Sequence, residues 1–255
     1  MIKIGYKPVG MRISITEKVA FAKELGLDAI EINSTDFKNA NDESEWAEAS
    51  QKYGILLKSY AVGVDLCNPV YEETETATVI DAAKRIKPMG MDMMLTRSMW
   101  PYNGVPQKDT WAYTIKKTRE FAAICADYGI KLALEVDHGC FIHTLERAQV
   151  LMHYVDHDNL YLNYDPANMY IGGADPLYAI SIIKDKIAGG HIKDAIYRSE
   201  YKGETGVGYG EVDYVAIFRE LNKYNVDVVM HYEHFKLKDE VRSAHKHIVS
   251  VMKKL

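Results

Sequence analysis

Eight short runs, in which apolar residues either alternate with polar ones or follow one another unbroken, punctuate the chain. They are IKIGY (2–6), DAIEI (28–32), ILLKSYA (55–61), MDMMLTR (91–97), IKLALEV (130–136), LYLNYD (160–165), IAGGHIKD (187–194) and VDVVMHYEH (226–234). Each reads as a β-strand. Between them apolar residues return every three or four positions, the spacing of a helix face. The clearest case covers 109–128, where Trp111, Ile115, Ala122 and Cys125 recur before Gly129 ends the helix. Val241, Ala244, Ile248 and Met252 form the same stripe in a final helix. No stretch rich in Pro, Gly or Ser divides the chain, and the only repeat is the strand-then-helix unit itself. Eight such units predict an α/β protein, a (β/α)8 TIM barrel in a single domain over residues 1–255. An open dinucleotide-binding sheet fits less well, because no G-x-G-x-x-G turn follows the first strand.

In a barrel of this kind alternate strand residues face the interior and the helices, and chemistry gathers at the C-terminal strand ends. Period two on the last four barrel strands aims Glu135, Asp165, His191 and Glu233 into one space, with Pro166 stopping the strand just after Asp165. Any one of these alone reads as a salt-bridge partner. Four in register are different: three converging carboxylates without a counter-charge repel one another, and a bound cation is their natural partner. Oxygen-rich ligation with one imidazole suits manganese, magnesium or cobalt, and zinc less well.

Composition narrows the function classes. The 255 residues carry 36 acidic and 31 basic side chains, a formal net charge of -5, without a long block of like charge, so nucleic acid is not an expected partner. Cys67, Cys125 and Cys140 are odd in number and widely spaced, which argues against a disulfide framework or a thiolate zinc site. The N-terminus runs straight into a strand pattern, and no window approaches a membrane-spanning length of apolar residues. The expectation is a soluble, unexported, cytoplasmic protein with no membrane partner.

The segments LALEVDH (132–138), LNYDPAN (162–168), GGHIKD (189–194), GVGYGEVDY (206–214) and HYEHF (231–235), in this order, resemble the xylose-isomerase-like barrels known as sugar phosphate isomerases and epimerases. The N-terminal half matches in its β/α rhythm and in LGLDAIEI (25–32). The resemblance implies that Glu135, Asp165, His191 and Glu233 hold one divalent metal, usually manganese in the epimerase members. Glu135 and Glu233 would also be the catalytic acid/base pair, moving a proton next to the carbonyl of a ketose through an enediolate. It further implies a small-molecule sugar substrate and a homo-oligomer, dimer or tetramer.

Around the metal, His138, Asn168 and Lys193 are placed to reach substrate oxygens, and Trp100 can stack on a sugar face. Arg198, in the loop after the seventh strand, stands one residue out of register with an arginine that epimerases often keep. Glu31 reads as a buried partner for a basic neighbour, and Gly206, Gly208 and Gly210 as flexible-loop glycines rather than a phosphate loop. Ketose 3-epimerases usually carry His where this chain has Asn168, and a second His where it has HIKD. The HIKD and DPAN forms look closer to inosose-dehydratase-like members, so a metal-dependent dehydratase or lyase, eliminating next to a ketone, is the alternative. Apurinic endonucleases share the barrel but need more histidines than the third and fourth strands here supply.

Overall fold

The computed structural model describes residues 1–69, 72–100 and 106–255. Eight parallel strands close a barrel: β1 (Ile2–Tyr6), β2 (Ala29–Asn33), β3 (Leu56–Ala61), β4 (Met93–Arg97), β5 (Lys131–Glu135), β6 (Leu160–Tyr164), β7 (Ile187–Ile192) and, after a two-stranded hairpin of β8 (Asp194–Tyr197) and β9 (Lys202–Thr205), β10 (Val228–Tyr232). Around the barrel the order is β1, β10, β7, β6, β5, β4, β3, β2, and β2 returns to β1. Helices fill the crossovers: α1 (Ile15–Leu25), α2 (Asp42–Tyr53), α3 (Glu72–Ile86), α4 (Gln107–Asp127), α5 (Leu145–Val155), α6 (Pro166–Ile171), α7 (Pro176–Ile183), α8 (Tyr214–Lys223) and α9 (Lys238–Met252). The eight runs read from the sequence are the eight barrel strands, with ends displaced by one or two residues.

Those displacements have local causes. Asp165 leaves the sheet to cap α6: its carboxylate accepts the Asn168 N–H at 2.9 Å, and Pro166, which has no N–H to give a ladder, takes the first helical position. The run 187–194 divides because Asp194 opens the hairpin β8–β9, pairing antiparallel with Thr205. Elsewhere the helix signals act as expected. Ser14 and Glu17 form a reciprocal capping box at the start of α1, and Gly26 ends it in the left-handed region at φ 71°.

The main apolar core lies between barrel and helices, and includes the fully buried Tyr6, Phe21, Trp46, Phe121, Tyr164 and Phe218. A smaller cluster of Met93, Leu95, Ala133 and Ala188, with Ala61 and Tyr161 against it, is separate from this layer. Large side chains leave room for nothing at some neighbouring positions. A Cβ on Gly5 would stand 2.5 Å from His231 Cδ2 and 2.6 Å from the Ala29 carbonyl oxygen. Glycine at position 5 is therefore the counterpart of the imidazole paired with it across β1 and β10.

Candidate functional site

The strand register builds the site. Tyr164 of β6 pairs with Gly190 of β7, and His231 of β10 pairs with His191, so Asp165 and Glu233 emerge on either side of β7. Glu135 ends β5 beside Asn163. Glu135, Asp165, His191 and Glu233 are all buried, and one donor atom from each lies within 4.8 Å of the others. His191 Nδ1 is 2.9 Å from Glu135 Oε1, 3.1 Å from Glu233 Oε2 and 3.9 Å from Asp165 Oδ2.

The carboxylates do not stand without a counter-charge. Lys193 Nζ reaches Asp165 at 2.9 Å, Glu204 at 3.1 Å and Glu233 at 3.2 Å. Lys7, just past β1, reaches Glu233 at 2.6 Å and Glu31 at 3.0 Å. Glu31 is fully buried, accepts from the Ser59 hydroxyl at 2.7 Å, and has its Oε1 3.0 Å from His191 Nε2. It is thus the buried partner of basic groups that its position on β2 suggests. Four carboxylates, Glu31, Glu135, Asp165 and Glu233, face three cationic groups, Lys7, His191 and Lys193.

Burial works against charge here, and the neighbours decide which side wins. For His191 burial opposes protonation, but Glu233, Glu135 and Glu31 outweigh it and hold the imidazolium well above the usual histidine range. Burial also opposes ionisation of Glu233, yet His191, Lys7 and Lys193 hold it well below the usual carboxylate range. Glu135 goes the other way: burial, with repulsion from Glu233 added, outweighs the attraction of His191 and raises its carboxyl. The donor set fits a divalent cation. Glu31 can accept a hydrogen bond from His191 Nε2–H, which holds the proton on Nε2 and, in the neutral imidazole, leaves the Nδ1 lone pair for a metal, with three carboxylates to complete an oxygen-rich set.

The other sequence-derived residues divide. Asn168 is at the centre: its amide nitrogen donates to Glu135 at 3.2 Å and to Asp165 at 3.1 Å, and its Oδ1 lies 2.9 Å from His138 Nδ1. His138 therefore meets the site through Asn168. Lys193 is almost wholly buried, and its ammonium sits on carboxylates. Trp100 is 53% exposed and packs on His143 with ring centroids 5.4 Å apart. Arg198 lies on the hairpin, 65% exposed, paired with Glu211 at 2.8 Å, and lines neither of the cavities described below.

Lys7 and Glu204 were not among the residues singled out from the sequence. Period two along β1 places Lys7 on the Gly5 side, so a signal existed, though a lone lysine after a short strand carries little weight. Glu204 had no periodic signal at all. It arrives through the hairpin and also accepts from His234 Nδ1 at 2.7 Å, a residue in the left-handed region at φ 67°. The glycine loop is tied rather than loose. Gly208 and Gly210 donate N–H bonds of 2.9 and 3.0 Å to Asp194 Oδ2, and a Cβ on Gly210 would collide with that carboxylate.

A cavity of about 630 Å³ opens on Glu135, Glu233 and Lys7 and crosses the mouth toward the β3 and β4 loops. A second, of about 380 Å³, lies between Lys193, Glu204 and α9. Glu233 and His234 line both. Among the described residues no helix is long and apolar enough to cross a membrane.

Comparison with known proteins identifies the barrel. The model of the xylose isomerase-like TIM barrel family matches residues 19–254. The probable L-ribulose-5-phosphate 3-epimerase UlaE of Mycoplasma pneumoniae is 20% identical over 265 residues, covering 98% of this chain and 86% of its own. Among solved structures, the 3-keto-D-glucoside 4-epimerase YcjR of E. coli superposes with a TM-score of 0.83 at 18% identity, covering 99% of this chain and 100% of the other. The IOLI protein with a bound zinc atom superposes at 0.84 and 18% identity, covering 99% and 98%. At these identities the structural likenesses speak for the fold.

Proposed function

Because the chain belongs to the xylose isomerase-like TIM barrel family, we propose that it is a divalent-metal-dependent carbohydrate isomerase or epimerase acting on a ketose or keto-sugar. The observation that carries the reading is the convergence of Glu135, Asp165, His191 and Glu233 within 4.8 Å, beside a cavity of sugar-accommodating size. These four would hold one ion. Manganese is the proposed occupant because three carboxylates and one imidazole suit it, with magnesium, cobalt and zinc as neighbours in preference. A bound ion would supply Lewis acidity that draws electron density from the sugar carbonyl and acidifies the adjacent C–H.

The chain's residues do the rest. Glu135 and Glu233, on strands separated by β6 and β7, form the acid/base pair, one taking the carbon-bound proton and the other returning one. Return to the opposite face of the same carbon inverts it; return to the neighbouring carbon isomerises the sugar. Lys193 and Lys7 hold Glu233 ionised, Glu31 orients His191, and Asn168 donates to Glu135 and Asp165 while presenting its oxygen to His138.

The test is incubation of manganese-loaded protein in heavy water with free and phosphorylated ketoses and inosose, followed by proton NMR. An inverted centre at the carbon beside the carbonyl, with or without deuterium there, means epimerase, an aldose product means isomerase, and loss of water means the dehydratase alternative. Neither exchange nor product with any of them overturns the proposal. Glu233→Gln should keep the ion, because an amide oxygen can still coordinate, and lose turnover by well over about tenfold, because an amide is no base.

A further inference from the structure

The cavity leads away from the carboxylate cluster to Asp65, in the segment after β3, and to Thr74 and Glu75 at the start of α3. In the barrel order β3 stands across the mouth from β7. Glu75 is 6% exposed, its Oε1 accepts the Asp65 N–H at 2.6 Å, and its Oε2 is buried with no hydrogen-bond partner among the described residues. Burial pushes both the Asp65 and the Glu75 carboxyl groups up. A buried carboxylate oxygen without a donor is costly, and a hydroxyl supplies what it lacks.

Among the described residues that line the two cavities, no comparable provision exists for a phosphate. Each cationic side chain lining either cavity is already paired: Lys7 with Glu31 and Glu233, Arg97 with Asp137 at 3.4 Å, Lys193 with Asp165, Glu204 and Glu233, and His234 with Glu204. Residues 70–71 and 101–105 contain no Lys, Arg or His. Barrels commonly take phosphate on backbone N–H groups beyond the last two strands. Here those groups hold the chain's own carboxylates: Gly208, Gly210 and Val212 donate to Asp194, and Lys236 and Leu237 to Glu240.

Resting on the carbohydrate reading above, we propose that Asp65 and Glu75 form a hydroxyl-binding subsite for the unphosphorylated end of a neutral sugar. A sugar whose carbonyl end lies at Glu135 and Glu233 extends its remaining carbons along this arm. Its terminal hydroxyls donate to the two carboxyl groups, whereas a terminal phosphate dianion brings acceptors and like charge to the same place.

Manganese-loaded full-length protein is titrated calorimetrically with a panel of free ketopentoses and ketohexoses and with their terminal phosphate esters. The free sugar that binds best should bind at least about tenfold more tightly than its ester. Glu75→Gln, which removes the charge, should narrow that ratio at least about threefold while manganese content stays at the parent level. Asp65→Asn is scored the same way, so a folding failure in one variant leaves the other. An ester that binds as well as or better than its parent sugar overturns the subsite and leaves the isomerase reading standing, as does an unchanged ratio in the variants. Binding of no sugar or ester by manganese-loaded protein overturns the isomerase reading, and the subsite with it.

Discussion

Lys193→Met keeps most of the aliphatic stem and removes one ammonium from the carboxylate cluster. Its side chain is 5% exposed and its Nζ lies within 3.2 Å of Asp165, Glu204 and Glu233, so the substitution takes the nearest cation from buried Asp165 and one of several partners from Glu233 and Glu204. Breaking a buried pair from one side costs about 3–5 kcal/mol, which at about 2 °C per kcal/mol lowers Tm by roughly 6–10 °C in a chain of this length. The cost should depend on metal. In the presence of a chelator, His191 and Lys7 alone oppose Glu31, Glu135, Asp165 and Glu233, whereas a divalent ion brings two further charges to the same carboxylates. Manganese at about a hundred times its Kd adds about 2.7 kcal/mol to the parent, and it should add more to the variant. The variant's deficit should therefore fall by at least half. Equilibrium urea unfolding of both proteins, each with chelator and with manganese, measures the four free energies. A deficit of the same size in both conditions refutes the counter-charge argument and leaves Lys193 a packing residue.

His191→Ala and Asp165→Ala should each abolish the roughly one manganese per chain expected of the reconstituted parent, and elemental analysis that finds unchanged occupancy removes them from the ligand set. Gly5→Ala places a Cβ 2.5 Å from His231 and 2.6 Å from the Ala29 carbonyl, and should cost about 1–3 kcal/mol by overpacking; unfolding free energies within error of the parent would show that the barrel yields there. Glu204 is held down to about 2 from its ordinary 4.5, against the effect of burial, by its bond to His234 and by Lys193. A depressed carboxyl contributes stability that is present above its ordinary value and lost as pH falls through the folded one. The parent's stability advantage over Glu204→Gln should thus hold above about pH 5 and vanish by about pH 2, and a pH-independent advantage contradicts it.

The order of strands and helices, the barrel and the four residues Glu135, Asp165, His191 and Glu233 were legible along the chain because each is a local property. Period two determines which side a strand residue takes, and a strand end determines the mouth to which it belongs. Pro166 likewise marks the end of its strand, whereas the helix start that Asp165 caps there appears only in the fold. What supports those four residues was decided in three dimensions. Lys7 comes from β1 and Glu31 from β2, distant from β7 in sequence, and they meet His191 and Glu233 only because the barrel closes. Glu204 reaches Lys193 through a hairpin whose residues follow no helical or strand stripe. Arg198 and the glycine loop show the same limit from the other side. Their spacing left substrate contact or free movement open, but the fold turned Arg198 onto Glu211 and wrapped the glycine N–H groups around Asp194. Periodicity reports which face a residue occupies. Which charge comes to stand opposite it depends on register and closure between segments remote in the chain, and pairing energies are settled only there.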